Sequence, residues 1–396
     1  MATTACWARY PDATTATPRT GPPQPVRHRL ESLVRLDLQR LGADGVDRTV
    51  PHRPASRNSK LAFQTCVPQE TTGRSAAGLC KLFLHHLGDA RERYSAAMKY
   101  KVFSATVTPL LSDGSLDRAG LQRVFERNLR HGVTGFFILG SMGEWGSFGD
   151  AFKEDLVSES SRLVAGCSEL LVGINATSLG LSLGNMRRYQ KYAFDSYVFM
   201  LPGATSALDP VKSILQVLDA ADRPVYYYHC PPVNSKNLTL EQFAAIMRHP
   251  RLKGIKNSAS NMWLRRELLL LKKREGFSTL LCEGQEWAVD EALLAGCDGM
   301  VCGMGALGSK FMVGIAKAVE AGRLAEAVRI QNRFIELFHG VYGIDLSSVW
   351  CGQKYALCRL GLIASPLTLA QEMSVLTEDR KHQIEACLES MQEELD

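Results

Sequence analysis

Residues 224–258 read PVYYYHCPPVNSKNLTLEQFAAIMRHPRLKGIKNS, and within them the spacing of apolar positions changes twice. PVYYYH (224–229) and LKGIKNS (252–258) are short β-rich runs, while TLEQFAAIMRH between them carries apolar residues at helical spacing. Strand, helix and strand in that order make a βαβ unit, the building block of a parallel sheet.

The same alternation extends outward on both sides. Further strands read from KVFSATVTP (101–109), GFFILG (135–140), LLVGIN (170–175), SYVFMLP (196–202), STLLCEG (278–284) and GMVCGM (299–304), with amphipathic stretches such as LDRAGLQRVFERNLRHG, SLGNMRRYQKYAF and PVKSILQVLDAA between them. Eight strands and eight crossovers in about 220 residues have the count and length of an α/β TIM (β/α)8 barrel. An eighth helix is expected near 309–322. Beyond it, LAEAVRIQNRFIELFHGVYG, VWCGQKYALCRLGL and DRKHQIEACLESMQEEL predict three extra C-terminal helices outside the barrel. The expected division is therefore a barrel over 98–322 and a helical extension over 323–396.

A doubly wound sheet competes, because a sequence does not show closure. Gly303-Met-Gly305-Ala-Leu-Gly308 fits GxGxxG between a strand and a helix. A dinucleotide fold needs a further strand ending in an acid about 20 residues later, and here the chain runs from helix to helix. The glycines read better as a turn that lets backbone approach a ligand or a neighbouring helix.

Composition narrows the partners. The chain has 396 residues, 45% hydrophobic and 22% charged, with a net charge of +5. Residues 1–97 hold fourteen basic and eight acidic side chains, so the rest is nearly neutral, which is no footprint for nucleic acid or an anionic membrane. No run approaches the roughly 18 apolar residues of a membrane span. Eleven cysteines lack Cys-x-x-Cys pairs or His/Cys ligand spacing, so neither a disulfide framework nor a structural metal is expected. A reduced, cytoplasmic protein is the expectation. Residues 1–97, rich in Pro, Thr, Arg and Ser, read as a disordered or appended extension before Met98. Mitochondrial targeting is the competing reading, against which its acidic residues count.

In such a barrel the reactive side chains lie at the C-terminal ends of the strands. Lys256, inside an otherwise apolar strand, points to the barrel or its mouth, where desolvation favours a neutral amine able to attack a carbonyl. The alternative is a lysine paired with Glu283 or Glu286. Tyr228 ends the neighbouring strand and is a proton donor and acceptor, or else one packing aromatic of Tyr226-Tyr227-Tyr228. Alternation puts Tyr226 and Tyr228 on one face and Tyr227 on the other. Gly140-Ser141-Met142-Gly143 offers backbone N–H groups and the Ser141 hydroxyl to a carboxylate, or is simply a glycine turn.

LGSMGEW on the second strand, YHCPP on the fifth and GIKNS on the sixth together resemble the dihydrodipicolinate synthase/N-acetylneuraminate lyase family of class I aldolases, over about 100–395. The resemblance implies a TIM barrel, usually a homotetramer built as a dimer of dimers, that joins a 2-oxo acid such as pyruvate to a lysine without a metal or other cofactor. It implies Lys256 as the Schiff-base lysine, Tyr228 as the proton relay, and Ser141 with the amides of 141 and 142, beside Gly140, as the carboxylate site. Ser258 falls near the substrate hydroxyls, and Gly284, Glu286, Cys302 and Gly303 in segments lining the rest of the pocket.

The departures from that pattern bear on substrate. Met142 replaces a second Thr or Ser, Gly203 and Ala204 replace an aromatic pair, and Cys302-Gly303 replaces Gly-Ser. Val233 stands where the synthase branch carries an arginine that grips aspartate semialdehyde, so that activity is disfavoured. Trp287 stands where a sialic-acid lyase carries an acid. The expectation is a lyase resembling N-acetylneuraminate lyase, with a 2-keto-3-deoxy sugar acid aldolase or dehydratase as runner-up. A non-catalytic 2-oxo-acid binder or structural relative is the reading from another class, since the changed residues weaken the relay.

Overall fold

The computed structural model describes residues 98–203 and 209–396. The expectations for residues 1–97 and for Ala204 lie outside the described residues.

Eight strands, β1 (Lys101–Ala105), β2 (Gly135–Ile138), β3 (Glu169–Gly173), β4 (Ser196–Phe199), β5 (Val225–His229), β6 (Leu252–Asn257), β7 (Leu280–Glu283) and β8 (Gly299–Cys302), pair in parallel. Lys101–Ser104 of β1 align with Gly299–Cys302 of β8, which closes the barrel and removes the doubly wound alternative. The crossover helices are α1 (Arg118–His131), α2 (Asp150–Val164), α3 (Leu179–Tyr189), α4 (Pro210–Ala220), α5 (Leu240–Met247), α6 (Met262–Glu275), α7 (Val289–Ala295) and α8 (Gly305–Glu320).

Strand alternation divides the apolar residues into two cores. Phe103, Phe137, Leu171, Val198, Tyr226, Tyr228 and Val301 fill the barrel interior, whereas Val102, Phe136, Leu170, Tyr197, Tyr227 and Ile255 pack the layer between strands and helices. Tyr226 and Tyr228 thus share the inner face. α5 shows how local sequence sets a crossover. Thr239 caps the helix by accepting from the Gln242 amide, and the Gln242 side chain accepts from the Thr239 amide.

Three trailing helices follow, α9 (Leu324–Tyr342), α10 (Val349–Arg359) and α11 (Glu378–Ser390), with one further turn at Gln392–Leu395. The last predicted stretch therefore breaks at Met391. The eighth helix begins at Gly305, four residues before the expected start. Missing side chains allow the approach there: a Cβ on Gly308 would lie 2.5 Å from the Phe334 ring of α9. Strand ends also come earlier than the apolar runs suggested, β1 stopping at Ala105 and β2 at Ile138.

The eight described cysteines are free. No helix among the described residues is long and apolar enough to cross a membrane.

Candidate active site

The site grows from the register of three neighbouring strands. Tyr228 of β5 aligns with Lys256 of β6, which aligns with Cys282 of β7. Because side chains at one register level of a barrel share a face, all three project inward. The Lys256 ammonium lies 4.3 Å from the Tyr228 ring centroid and 5.3 Å from that of Phe137. The Phe137 and Tyr228 rings meet edge to face at 6.3 Å, so the lysine sits in an aromatic corner.

Lys256 is 5% exposed. Burial pushes its pKa below the ordinary lysine value, opposed mainly by the charge of Glu286 and then by nearby thiols. Neither acid proposed as a partner is ion-paired with it. Glu283 is bound by Arg265 at 2.8 Å and accepts from the amides of Gly284 and Gln285, and Glu286 accepts from the Met304 amide at 3.0 Å. Burial raises the pKa of the Glu286 carboxyl, with the Met304 amide and Lys256 opposing.

Tyr228 is buried, and burial drives its phenol pKa up. Cys230 adds to the rise, while the hydroxyls of Ser141 and Ser258 oppose it. Both serine Oγ atoms are buried and, apart from this contact with the Tyr228 phenol, meet no hydrogen-bond partner among the described residues. The backbone N–H groups of Ser141 and Met142 likewise meet no acceptor among the described residues. Unpaired polar groups in a buried place are costly unless a polar ligand completes them.

The turn after β2 is not a direct strand-to-helix junction. It runs through Leu139 and Glu144, both with left-handed backbone (φ 54° and 56°), before α2 starts at Asp150. Gly140 opens this turn, and Met142 packs toward β8. A Cβ on Gly303 would lie 2.7 Å from Met142 Cγ and 3.2 Å from Glu286 Oε1, so these three residues share one wall. On Gly284 a Cβ would lie 2.1 Å from Ser258 Oγ and 3.0 Å from Lys256 Cε. Only glycine leaves room for both side chains there.

Cys302 is wholly buried in the layer between barrel and helices and touches the site through its electrostatic effect on Lys256. Val233 is 57% exposed, on the single helical turn Pro231–Asn234 that follows β5. Trp287 is exposed with its ring edge-on to Phe338.

Sequence reasoning missed Phe137, although β2 alternation places it inside, and Cys230, two residues past Tyr228 on the same face. It also missed α10. There Trp350 Nε1 donates to the Ser141 carbonyl at 3.0 Å, Gln353 to the Gly303 carbonyl at 3.1 Å, and Lys354 ion-pairs with Glu144. No local pattern signals contacts between residues 50 to 210 positions apart.

The sequence matches the model of the dihydrodipicolinate synthetase family over residues 98–391. It is 23% identical to a 4-hydroxy-tetrahydrodipicolinate synthase of Gluconacetobacter diazotrophicus, covering 72% of this chain and 94% of that one. Identity is 26% to a probable 2-dehydro-3-deoxy-D-pentonate aldolase of Escherichia coli, over 66% and 89%, and 25% to an N-acetylneuraminate lyase of the same species, over 67% and 88%. Among solved structures, YagE, an Escherichia coli K12 prophage protein of the dihydrodipicolinic acid synthase family in complex with pyruvate, superposes with a TM-score of 0.67 at 21% identity. That match covers 75% of this chain and 99% of the other.

Proposed function

The chain belongs to the dihydrodipicolinate synthetase family, and on that premise we propose that it is a class I lyase or aldolase joining a 2-oxo acid to Lys256. The observation that carries this reading is the buried Lys256 amine, free of any ion pair and in register with Tyr228, whose phenol meets the buried hydroxyls of Ser141 and Ser258.

In the reaction we infer, the neutral Lys256 amine adds to the C2 carbonyl and the carbinolamine loses water to give an imine. Tyr228, with Ser141, takes and returns the protons. The Ser141 hydroxyl and the amides of Ser141 and Met142 hold the carboxylate. The protonated imine accepts the electron pair released when the C3–C4 bond breaks, while Tyr228 takes the proton of the C4 hydroxyl and an aldehyde leaves. Protonation of the enamine at C3 and addition of water then release pyruvate and restore the amine. The reverse sequence forms the bond.

The wall shared by Met142, Glu286 and Gly303 and the exposed Trp287 favour a substrate with a short or sparsely hydroxylated tail. A 2-keto-3-deoxy sugar acid suits that wall at least as well as N-acetylneuraminate. The apolar, exposed Val233 argues against dihydrodipicolinate synthesis. We infer a homo-oligomer, dimer or tetramer, with 98–322 as the barrel and 323–396 as the helical extension.

Borohydride trapping of the full-length protein with pyruvate, followed by intact-mass and peptide mapping, tests the chemistry. A reduced pyruvyl group on Lys256 is expected, and a folded protein that gains no mass rejects it. Substrate specificity is then read from pyruvate release with N-acetylneuraminate and 2-keto-3-deoxy sugar acids. One observation favours a second reading. Met142 puts a thioether where the resemblance expects a hydroxyl, so a sensor that forms the adduct without turnover is distinguished by trapping in the absence of product release.

A further inference from the structure

The β2 turn that carries Ser141 has no regular secondary structure, and two of its non-glycine residues, Leu139 and Glu144, hold left-handed backbone. Such residues are strained and persist only where the surroundings impose them. Asn175 donates to the Leu139 carbonyl, and Glu144 is held by α10 and the segment after it. Trp350, Gln353 and Lys354 stand at i, i+3 and i+4 on one face of that helix.

Each of the three grips the mouth of the barrel. Trp350 Nε1 donates to Ser141 O at 3.0 Å and Gln353 Nε2 to Gly303 O at 3.1 Å. The Lys354 ammonium pairs with Glu144 and donates to Leu367 O at 2.8 Å. The other Glu144 oxygen accepts from Thr368 Oγ1 at 2.9 Å and from the amides of Leu369 at 2.8 Å and Ala370 at 3.2 Å.

Both side chains of the Lys354–Glu144 pair are fully buried. Desolvating two charges offsets much of their attraction, so such a pair is poor evidence for net stability and a better sign of fixed geometry. The Trp350 bond has a directional consequence. In a trans peptide the C=O and the following N–H point in opposite directions. Anchoring Ser141 O on α10 therefore turns the Met142 N–H away from α10, and that N–H meets no acceptor among the described residues.

We propose that Trp350 and the Lys354–Glu144 pair are positioning residues that orient the Ser141–Met142 peptide so that its N–H and the Ser141 hydroxyl hold the substrate carboxylate. The proposal rests on the 2-oxo-acid reading above. It assigns the helical extension a part in substrate binding, through a helix that contributes no group to the chemistry.

The test compares saturation of borohydride trapping by pyruvate with that by acetone, a ketone that lacks the carboxylate, in the full-length protein. Trp350→Phe removes the donor and keeps an aromatic ring. Glu144→Gln with Lys354→Met removes both buried charges together. For Trp350→Phe the half-saturating pyruvate concentration is expected to rise about fivefold to tenfold, the equivalent of one hydrogen bond, with acetone trapping unchanged. Faster amide exchange confined to residues 139–148 accompanies it in both variants. Unchanged pyruvate saturation in Trp350→Phe overturns the proposal, as does equal weakening with both ketones, which marks a general loss of structure. A wild-type protein that traps neither ketone overturns the 2-oxo-acid reading itself. That result is distinct from a wild type that traps pyruvate and variants that match it.

Discussion

Tyr228 and Lys256 are partners in the β5–β6 ladder, and the lysine ammonium lies 4.3 Å from the centre of the tyrosine ring. Strand register brings together two residues that are 28 positions apart in the chain and keeps both away from bulk water. The phenol is thereby held in its protonated form by burial, while the amine is pushed toward its neutral form by the same cause. That is the pairing a carbinolamine needs, with one group to attack and one to move protons.

Tyr228→Phe should separate these roles. The ring and its packing on Phe137 remain, so borohydride should still trap pyruvate on Lys256, whereas kcat for pyruvate release should fall by about 10²–10⁴. Equal loss of trapping and turnover would show that the phenol does no more than shape the pocket.

Lys256 should carry a pH-dependent stability cost. Its folded pKa lies below the unfolded value of 10.5, so the folded state binds a proton less readily. The penalty is full at pH below the folded value and vanishes as pH rises toward 10.5. Lys256→Met should therefore stabilise the protein by about 1–2 kcal/mol at neutral pH or below, with the gain shrinking in alkali. Urea denaturation at several pH values measures it. A substitution that destabilises at every pH contradicts the assignment of desolvation as the cause.

Gly284→Ala should weaken trapping of pyruvate while leaving the barrel folded. The new methyl would stand 2.1 Å from Ser258 Oγ and 3.0 Å from Lys256 Cε, so the serine hydroxyl has to turn away and the lysine has to give slightly beside Tyr228. Circular dichroism with trapping checks both halves of the statement. An alanine variant that traps pyruvate normally shows that the Ser258 hydroxyl and the tight fit around Lys256 do not govern the adduct.

Met142→Thr should raise turnover about tenfold or more, because it puts a hydroxyl next to Ser141 and opens the wall facing Gly303. Steady-state pyruvate release from a panel of 2-keto-3-deoxy sugar acids is the measurement, with the largest gain expected for the longest tails. No gain with any of them means that the thioether is not what limits the site.

His229, directly after Tyr228, points to the opposite face and stacks edge-on against Phe243 at 5.1 Å. Both of its ring nitrogens are buried without partners, and burial pushes its pKa down to about 4. Because the folded value lies below the unfolded 6.5, stability is full above about pH 6.5 and is lost as pH falls toward 4. His229→Phe should flatten the melting temperature over that window. His131, also pushed down to about 4 by burial and neighbouring cations, accounts for the slope that persists, and an unaltered curve excludes His229 as a source.

The chain by itself determined the alternating βα units, because each strand and helix is written in the local period of its apolar residues, and eight such units in about 220 residues have the count and length of a barrel. It also determined which side chains stand near the strand ends, so Lys256 and Tyr228 were legible from alternation along their strands, whereas Ser141 lies past β2 in a turn that alternation does not orient. Closure was not legible, because it depends on the pairing of Lys101–Ser104 with Gly299–Cys302 nearly two hundred residues away. Nor was the fate of the acids near Lys256, where Arg265 claims Glu283 and the Met304 amide holds Glu286. Only the tertiary structure decided that α10 grips the Ser141 turn. A hydrogen bond from a helix side chain to a distant carbonyl leaves no period, spacing or composition in the sequence, and exists only once the barrel and its trailing helices are packed.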